Sequence, residues 1–204
     1  MTADDNLFDE HNVVAGMLLE ESDRGCALFG AQMIDDKLKE LFECLFISES
    51  PIRKVSKGLL SGYGPLATFS AKLDFAYAAG IINNDHYRTA NLIRNIRNDM
   101  AHERGPISFS HQKVHQKFRA LVADGKPAEE DGDDLVEFAT SSGDTKKIPR
   151  RTLQNRIAFA LAVSHLCGAI EFQRRLWNAS SCKSIWHFIV SRTPPSTIKS
   201  IPME

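Results

Sequence analysis

Apolar residues recur along this chain at helical spacing. Ala27, Ala31, Ile34, Leu38, Leu41 and Leu45 follow one another at steps of four and three. On a helix those positions share one face, so a core-facing seam is predicted over 24–47. Asp35, Asp36, Lys37, Lys39, Glu40 and Glu43 fall largely outside it. An acidic lead and an amphipathic segment around Phe8 to Leu19 precede this helix. Ser48 to Gly64 holds Pro51, three glycines and scattered lysines, and reads as a loop. Gly64-Pro65 then opens a helix over 66–79, since proline is tolerated in a first turn. Leu66, Phe69, Leu73, Ala76 and Tyr77 point one way, and Gly80 supplies a C-terminal stop. Asn83 or Asn84 caps the next helix, 85–101, which Gly105-Pro106 ends. Ser108 to Val122 reads as a weaker amphipathic helix.

The pattern breaks at Asp124. Residues 124–145 are acidic and poor in large apolar side chains apart from Leu135, Val136 and Phe138. Such a stretch reads as a flexible insertion with one short anchoring element. Lys146-Lys147-Ile148-Pro149-Arg150-Arg151 reverses the charge. A last long helix is predicted over 152–177. Its segment Ile157 to Ile170 is apolar nearly all round, yet shorter than the roughly 20 residues that cross a bilayer. It therefore reads as a central core helix, with Leu161 in the core beside Leu41, Phe69 and Ile96. The tail from Ser180, with Trp186, Phe188, Pro194 and Pro195, fits either a packed terminus or a partner-docking segment. No repeat and no strand ladder stands out. The expectation is an all-α bundle. Residues 1–123 form its helical core, 124–148 an insertion, 149–178 the helix that completes the same domain, and 179–204 a tail.

Within the 85–101 helix a second pattern overlies the first. Ile93, Ile96 and Met100 form the apolar stripe, while Asn91, Asn95, Asn98 and His102 step by four, three and four as a polar one. Arg94 and Arg97 lie between. Asparagine is a poor helix former because its side chain competes for backbone partners, so its density here implies specific hydrogen bonds. Two readings follow: a buried polar network joining this helix to its neighbours, or a reactive Arg/His site. The network is the preferred one.

A formal net charge of −1 provides no global field for nucleic acid or an anionic membrane, so any such contact needs a local patch. Lys146, Lys147, Arg150, Arg151 and Arg156 form the one candidate. They either neutralise the acidic stretch before them or contact phosphates nonspecifically. Glu21, Asp23 and Arg24 read as an ion-pair or helix-start network, or else as part of a pocket facing the 85–101 helix. Cys26, Cys44, Cys167 and Cys182 are widely spaced and no secretory signal opens the chain, which points to reduced thiols in a cytoplasmic protein, three of them packed as small hydrophobes. His111 and His115 have metal-ligand spacing, but no Cys or Glu completes a set, so no metal or cofactor is expected. His165, in an apolar run, reads as a hydrogen-bonded core histidine.

Four blocks resemble one known family. They are Glu21-Ser22-Asp23-Arg24-Gly25 followed by Leu38 to Phe42; Gly64 through Lys72; Ala76-Tyr77-Ala78-Ala79-Gly80-Ile81-Ile82; and Ile93 through His102. In this order they are similar to the mannitol operon repressor (MtlR) family, over roughly residues 15–105. The resemblance implies an all-helical negative regulator of transcription without a recognisable DNA-reading motif; the expectation is therefore action through protein partners, with the helical core supporting a homodimer. A more distant resemblance rests on Arg97-Asn98 and His102, similar to the Arg–x(4–6)–His signature of the HEPN superfamily. It implies the alternative, a metal-independent RNase with its site at a dimer interface. There an imidazole would move a proton and a guanidinium would hold the phosphate. Five residues of regular helix turn about 140° in excess of a full turn, so Arg97 and His102 share a face only if the helix distorts or a second copy contributes.

Overall fold

The computed structural model describes residues 13–46, 52–121, 134–139, 143 and 145–179. A short helix, α1 (13–20), precedes Ser22, whose hydroxyl accepts a hydrogen bond from the Gly25 amide at 3.0 Å. That cap starts α2 (Asp23–Leu45). The seam read from the sequence is the buried face of α2, widened by Cys26, Gly30 and Phe42, with Leu45 partly buried at its end.

A helix, α3 (Ile52–Leu60), stands where a loop was expected. Its glycine and lysines obscure the periodicity, and only Leu60 is buried. The chain then folds back tightly: the Leu66 amide donates to the Leu59 carbonyl at 2.9 Å. A β-carbon on Gly64 would lie 2.1 Å from the Gly58 carbonyl oxygen, so only glycine fits there. Pro65 sits in this turn and does not open a helix. Thr68 caps α4 (Phe69–Ala78) instead, accepting from the Ala71 amide. Gly80, at φ 69°, ends α4 as expected. The Asn83 carboxamide accepts from the His86 amide at 2.8 Å and caps α5 (Asn84–His102). A turn at 108–111 leads to α6 (Gln112–Leu121).

The second departure is a hairpin. β1 (Leu135–Ala139) pairs antiparallel with β2 (Thr145–Pro149), with Val136 opposite Ile148 and Glu137 opposite Lys147. Half-buried Val136 and Phe138 alternate with exposed neighbours, but the adjacent Lys146 and Lys147 of β2, followed closely by Arg150 and Arg151, resemble a charge run. β2 passes directly into α7 (Arg150–Ala179), which is longer than expected at both ends. Residues 124–133 and the tail from 180, including Cys182, Trp186 and Phe188, lie outside the described residues.

α2 packs most extensively against α7 and next against α5, while α4 and α6 close the flanks. The α2–α7 contact is close because Gly30 carries no side chain: an added β-carbon would meet Phe159 Cε1 at 2.7 Å and Val163 Cγ2 at 2.9 Å. Phe109, Phe118 and Phe159 fill the space beside it, with ring centroids 5.1–6.1 Å apart. Leu41 and Ile96 are core residues and Phe69 is partly buried, but Leu161 is 57% exposed. α7 is thus not buried all round. Ile157, Leu161, His165, Phe172 and Leu176, at steps of four, four, seven and four, form an exposed row along it. His165 is accordingly not a core histidine; its ring meets that of His86, centroids 5.5 Å apart. Burial and the neighbouring His165 hold His86 below the ordinary imidazole range, against the opposing pull of Asp85. Cys26 and Cys167 are buried free thiols, whereas Cys44 is half-buried and lies 2.8 Å from the Asn178 carboxamide oxygen.

Candidate functional site

Two charged clusters flank α2. At its N-terminus, Asp23 accepts from the Phe109 amide (2.9 Å) and from Arg156 Nε (3.0 Å), with a second contact from the same guanidinium. Arg156 also donates to the Leu19 carbonyl at 3.2 Å. Both side chains are about nine-tenths buried. Asn155 donates to the Phe109 carbonyl at 2.8 Å, so the turn before α6 is held at both backbone groups. Arg24 reaches across to the carbonyls of Glu103 (2.8 Å) and Gly105 (2.9 Å), placing a cation at the C-terminal end of α5. Glu21 folds over Gly25, where a β-carbon would lie 2.6 Å from its carboxylate. This cluster ties α1, α2, α5, α7 and the 108–111 turn together. It also removes Arg156 from the basic surface patch: a guanidinium buried against Asp23 is not available to a phosphate.

The second cluster lies between α2 and α5. A cavity of about 270 Å³ is lined by Ala31, Gln32, Asp35, Phe69, Arg94, Arg97 and Asn98. Arg94 donates to the Ser70 hydroxyl, while its Nε is enclosed without a hydrogen-bond partner. Arg97 is exposed and donates to the Asn98 carboxamide oxygen at 3.1 Å. Asp35 lies 2.9 Å from the ammonium of Lys72, which is buried and also donates to the Ala67 carbonyl at 3.3 Å. Arg94, Arg97 and Asn98 are candidates from sequence alone, whereas Gln32, Asp35 and Lys72 join them only in the folded chain. A signal for Lys72 existed, since it lies on the apolar face of α4 between Phe69 and Leu73.

The polar stripe of α5 is not one buried network. Asn91 is half-buried and donates to the Tyr87 carbonyl of its own helix at 3.2 Å, but Asn95 and His102 are exposed. The stripe faces outward because Ile93, Ile96 and Met100 take the core face. α5 is a continuous helix to His102, so Arg97 at the cavity and His102 at the helix end point in different directions within one chain. Of the basic patch, Lys146, Lys147 and Arg150 are exposed and Arg151 is half-buried; Lys147 pairs with Glu137 at 3.3 Å. His115 lies 3.2 Å from the Asn155 amide nitrogen, while His111 is exposed. Near the far end of α7, Glu171 accepts from Arg174 and Arg175. The hydrogen bond from Arg174 leads the causes that bring its carboxyl down to about 2, against desolvation.

Fold and site define an all-α bundle with a cationic cavity on its central helix pair. A family model described as Mannitol repressor (MtlR) matches residues 10–171. The chain belongs to that family. It is 28% identical over 118 residues to the mannitol operon repressors of Escherichia coli strains K12 and O6:H1, covering 57% of this chain and 58% of each relative. The match thus spans well under two thirds of the curated relatives' length. A solved structure, the X-ray structure of the MtlR-HPr complex from Escherichia coli, shares the fold with a TM-score of 0.58 at 21% identity, covering 78% of this chain and 98% of that one. No helix among the described residues is long and apolar enough to cross a membrane.

Proposed function

We propose that this chain is a negative regulator of transcription in the cytoplasm, acting through protein–protein contact, with an HPr-type protein as its partner. Family membership carries the regulatory part of this reading. The solved relative in complex with HPr supports the mode of action. The placement of α5 is consistent with it: the helix richest in Arg and Asn contacts α2, α4, α6 and α7 and is not presented as a free reading head. Titration calorimetry with purified HPr should give saturable binding. Duplex DNA should bind weakly and without sequence preference, through Lys146, Lys147, Arg150 and Arg151, and that binding should fall steeply with salt. Tight, sequence-specific DNA binding at physiological salt would refute the partner reading.

The reading includes a homodimer. The exposed row on α7 is the apolar face a second copy would cover, since an antiparallel pairing of one helix with its own copy is self-complementary. Light scattering should report a dimer that Leu161→Asp with Phe172→Asp converts to a folded monomer. A double variant that remains dimeric would place the interface elsewhere.

A further inference from the structure

The cavity between α2 and α5 has more cation than the protein itself uses. Asp35, the one carboxylate in its wall, is already matched by the buried Lys72 ammonium at 2.9 Å. That leaves Arg94 and Arg97, three residues apart on one helix and so neighbours on its surface, without a carboxylate partner among the described residues. Arg94 bonds only to the neutral Ser70 hydroxyl, and its enclosed Nε meets no acceptor. Arg97 holds only the Asn98 amide. Among the described residues neither guanidinium is neutralised by a carboxylate, and two neighbouring arginines in one wall suit an anionic group with several acceptor oxygens. We infer that this cavity binds a small phosphate monoester.

A planar carboxylate is satisfied by one guanidinium fork, whereas the three terminal oxygens of a monoester engage two. The end of the Arg94 guanidinium, beyond the nitrogen held by Ser70, and the Arg97 fork supply donors of the required charge. About 270 Å³ exceeds what a bare phosphate fills, so the site has room for a small carrier. Ala31 and Phe69 offer that carrier an apolar wall. Gln32, Asn98 and the carboxylate of Asp35 suit its hydroxyl groups. A neutral polyol lacks the group that both arginines require.

Calorimetry and thermal shift at constant ionic strength test this without any partner protein, so the outcome is independent of the regulatory reading. The probes are glucose 6-phosphate, inorganic phosphate, citrate and glucose. Glucose 6-phosphate should bind saturably, inorganic phosphate more weakly, and glucose not at all. Arg97→Gln, at an exposed position, should weaken binding roughly tenfold or more with an unchanged melting temperature, and Arg94→Gln should weaken it similarly. Lys146→Gln, which removes a cation elsewhere, should leave it intact. Absence of saturable binding by both phosphates, binding insensitive to Arg97→Gln, or a preference for citrate would each overturn the proposal. So would a single-stranded RNA oligonucleotide that occupies the cavity while monoesters do not.

Discussion

The two flanks of α2 handle charge in opposite ways. At its N-terminus, Asp23 and Arg156 are buried, matched in charge, and surrounded by backbone groups that complete their hydrogen bonding. One face over, Arg94 and Arg97 border open space with one amide and one hydroxyl as partners. Both clusters are rich in arginine, and the residue type alone does not separate them. What separates them is closure. A guanidinium whose donors end on carboxylate and carbonyl oxygens of its own chain has a structural task. One that borders open space and ends on a single side-chain amide or hydroxyl is available to something else.

Substitutions test this contrast, the largest effect first. Asp23→Ala strands the buried Arg156 charge and should cost about 3–5 kcal/mol of stability, read by denaturant unfolding. A cost below about 1 kcal/mol would show that the cluster is looser than its geometry. Gly30→Ala pushes a methyl group against Phe159 and Val163 and should cost about 1–3 kcal/mol, with the melting temperature as readout. An unchanged melting point would mean that α2 and α7 can separate at little cost.

A fully partnered carboxylate should also reveal itself in acid. Glu171 has a folded-state value of about 2, below its ordinary 4.5, so its contribution is complete above about pH 4.5 and disappears as the pH falls towards 2. Because Arg174 and Arg175 are about one-third exposed, that contribution is expected to be only about 1–3 kcal/mol. Glu171→Gln should remove this part of the acid limb, and parallel pH–stability curves for the two proteins would contradict the assignment. The smallest effects belong to exposed positions of α5: Arg97→Gln at the cavity and His102→Ala at the helix end should each stay within about 0.5 kcal/mol of the parent. Metal-independent RNA cleavage lost in both variants would instead make Arg97 and His102 a reacting pair supplied by two copies.

Much of the bundle was legible because its elements obey the rules that create them. The α2 seam, a cap at Asn83 or Asn84, the Gly80 stop and the Ile93–Ile96–Met100 face were all readable as spacing and cap chemistry. α3 was hidden by a glycine and by lysines on a helix that buries a single residue. The hairpin was hidden because one strand combines two adjacent lysines with a proline and carries a single large aliphatic residue, Ile148. The exposure of Leu161 could not be read locally: an apolar run shows that a helix has more than one greasy face, not which of them a neighbour covers. The same holds for the candidate site. Arg94, Arg97 and Asn98 stood out as residue types, but Asp35 and Lys72 become partners only when α2 and α4 meet.

The buried thiols add a practical consequence. Burial pushes the sulfhydryls of both Cys26 and Cys167 up to about 12, so almost no thiolate exists there at neutral pH. An alkylating reagent can reach them only after the chain opens. One sits at the start of α2 and the other in the middle of α7, the two helices with the most extensive mutual contact. Their trapping rates in a variant lacking Cys44 and Cys182 would time how often each helix detaches. Equal rates at the two sites would mean that the bundle opens as one unit, and a faster rate at Cys26 would mean that it frays from the Asp23 end.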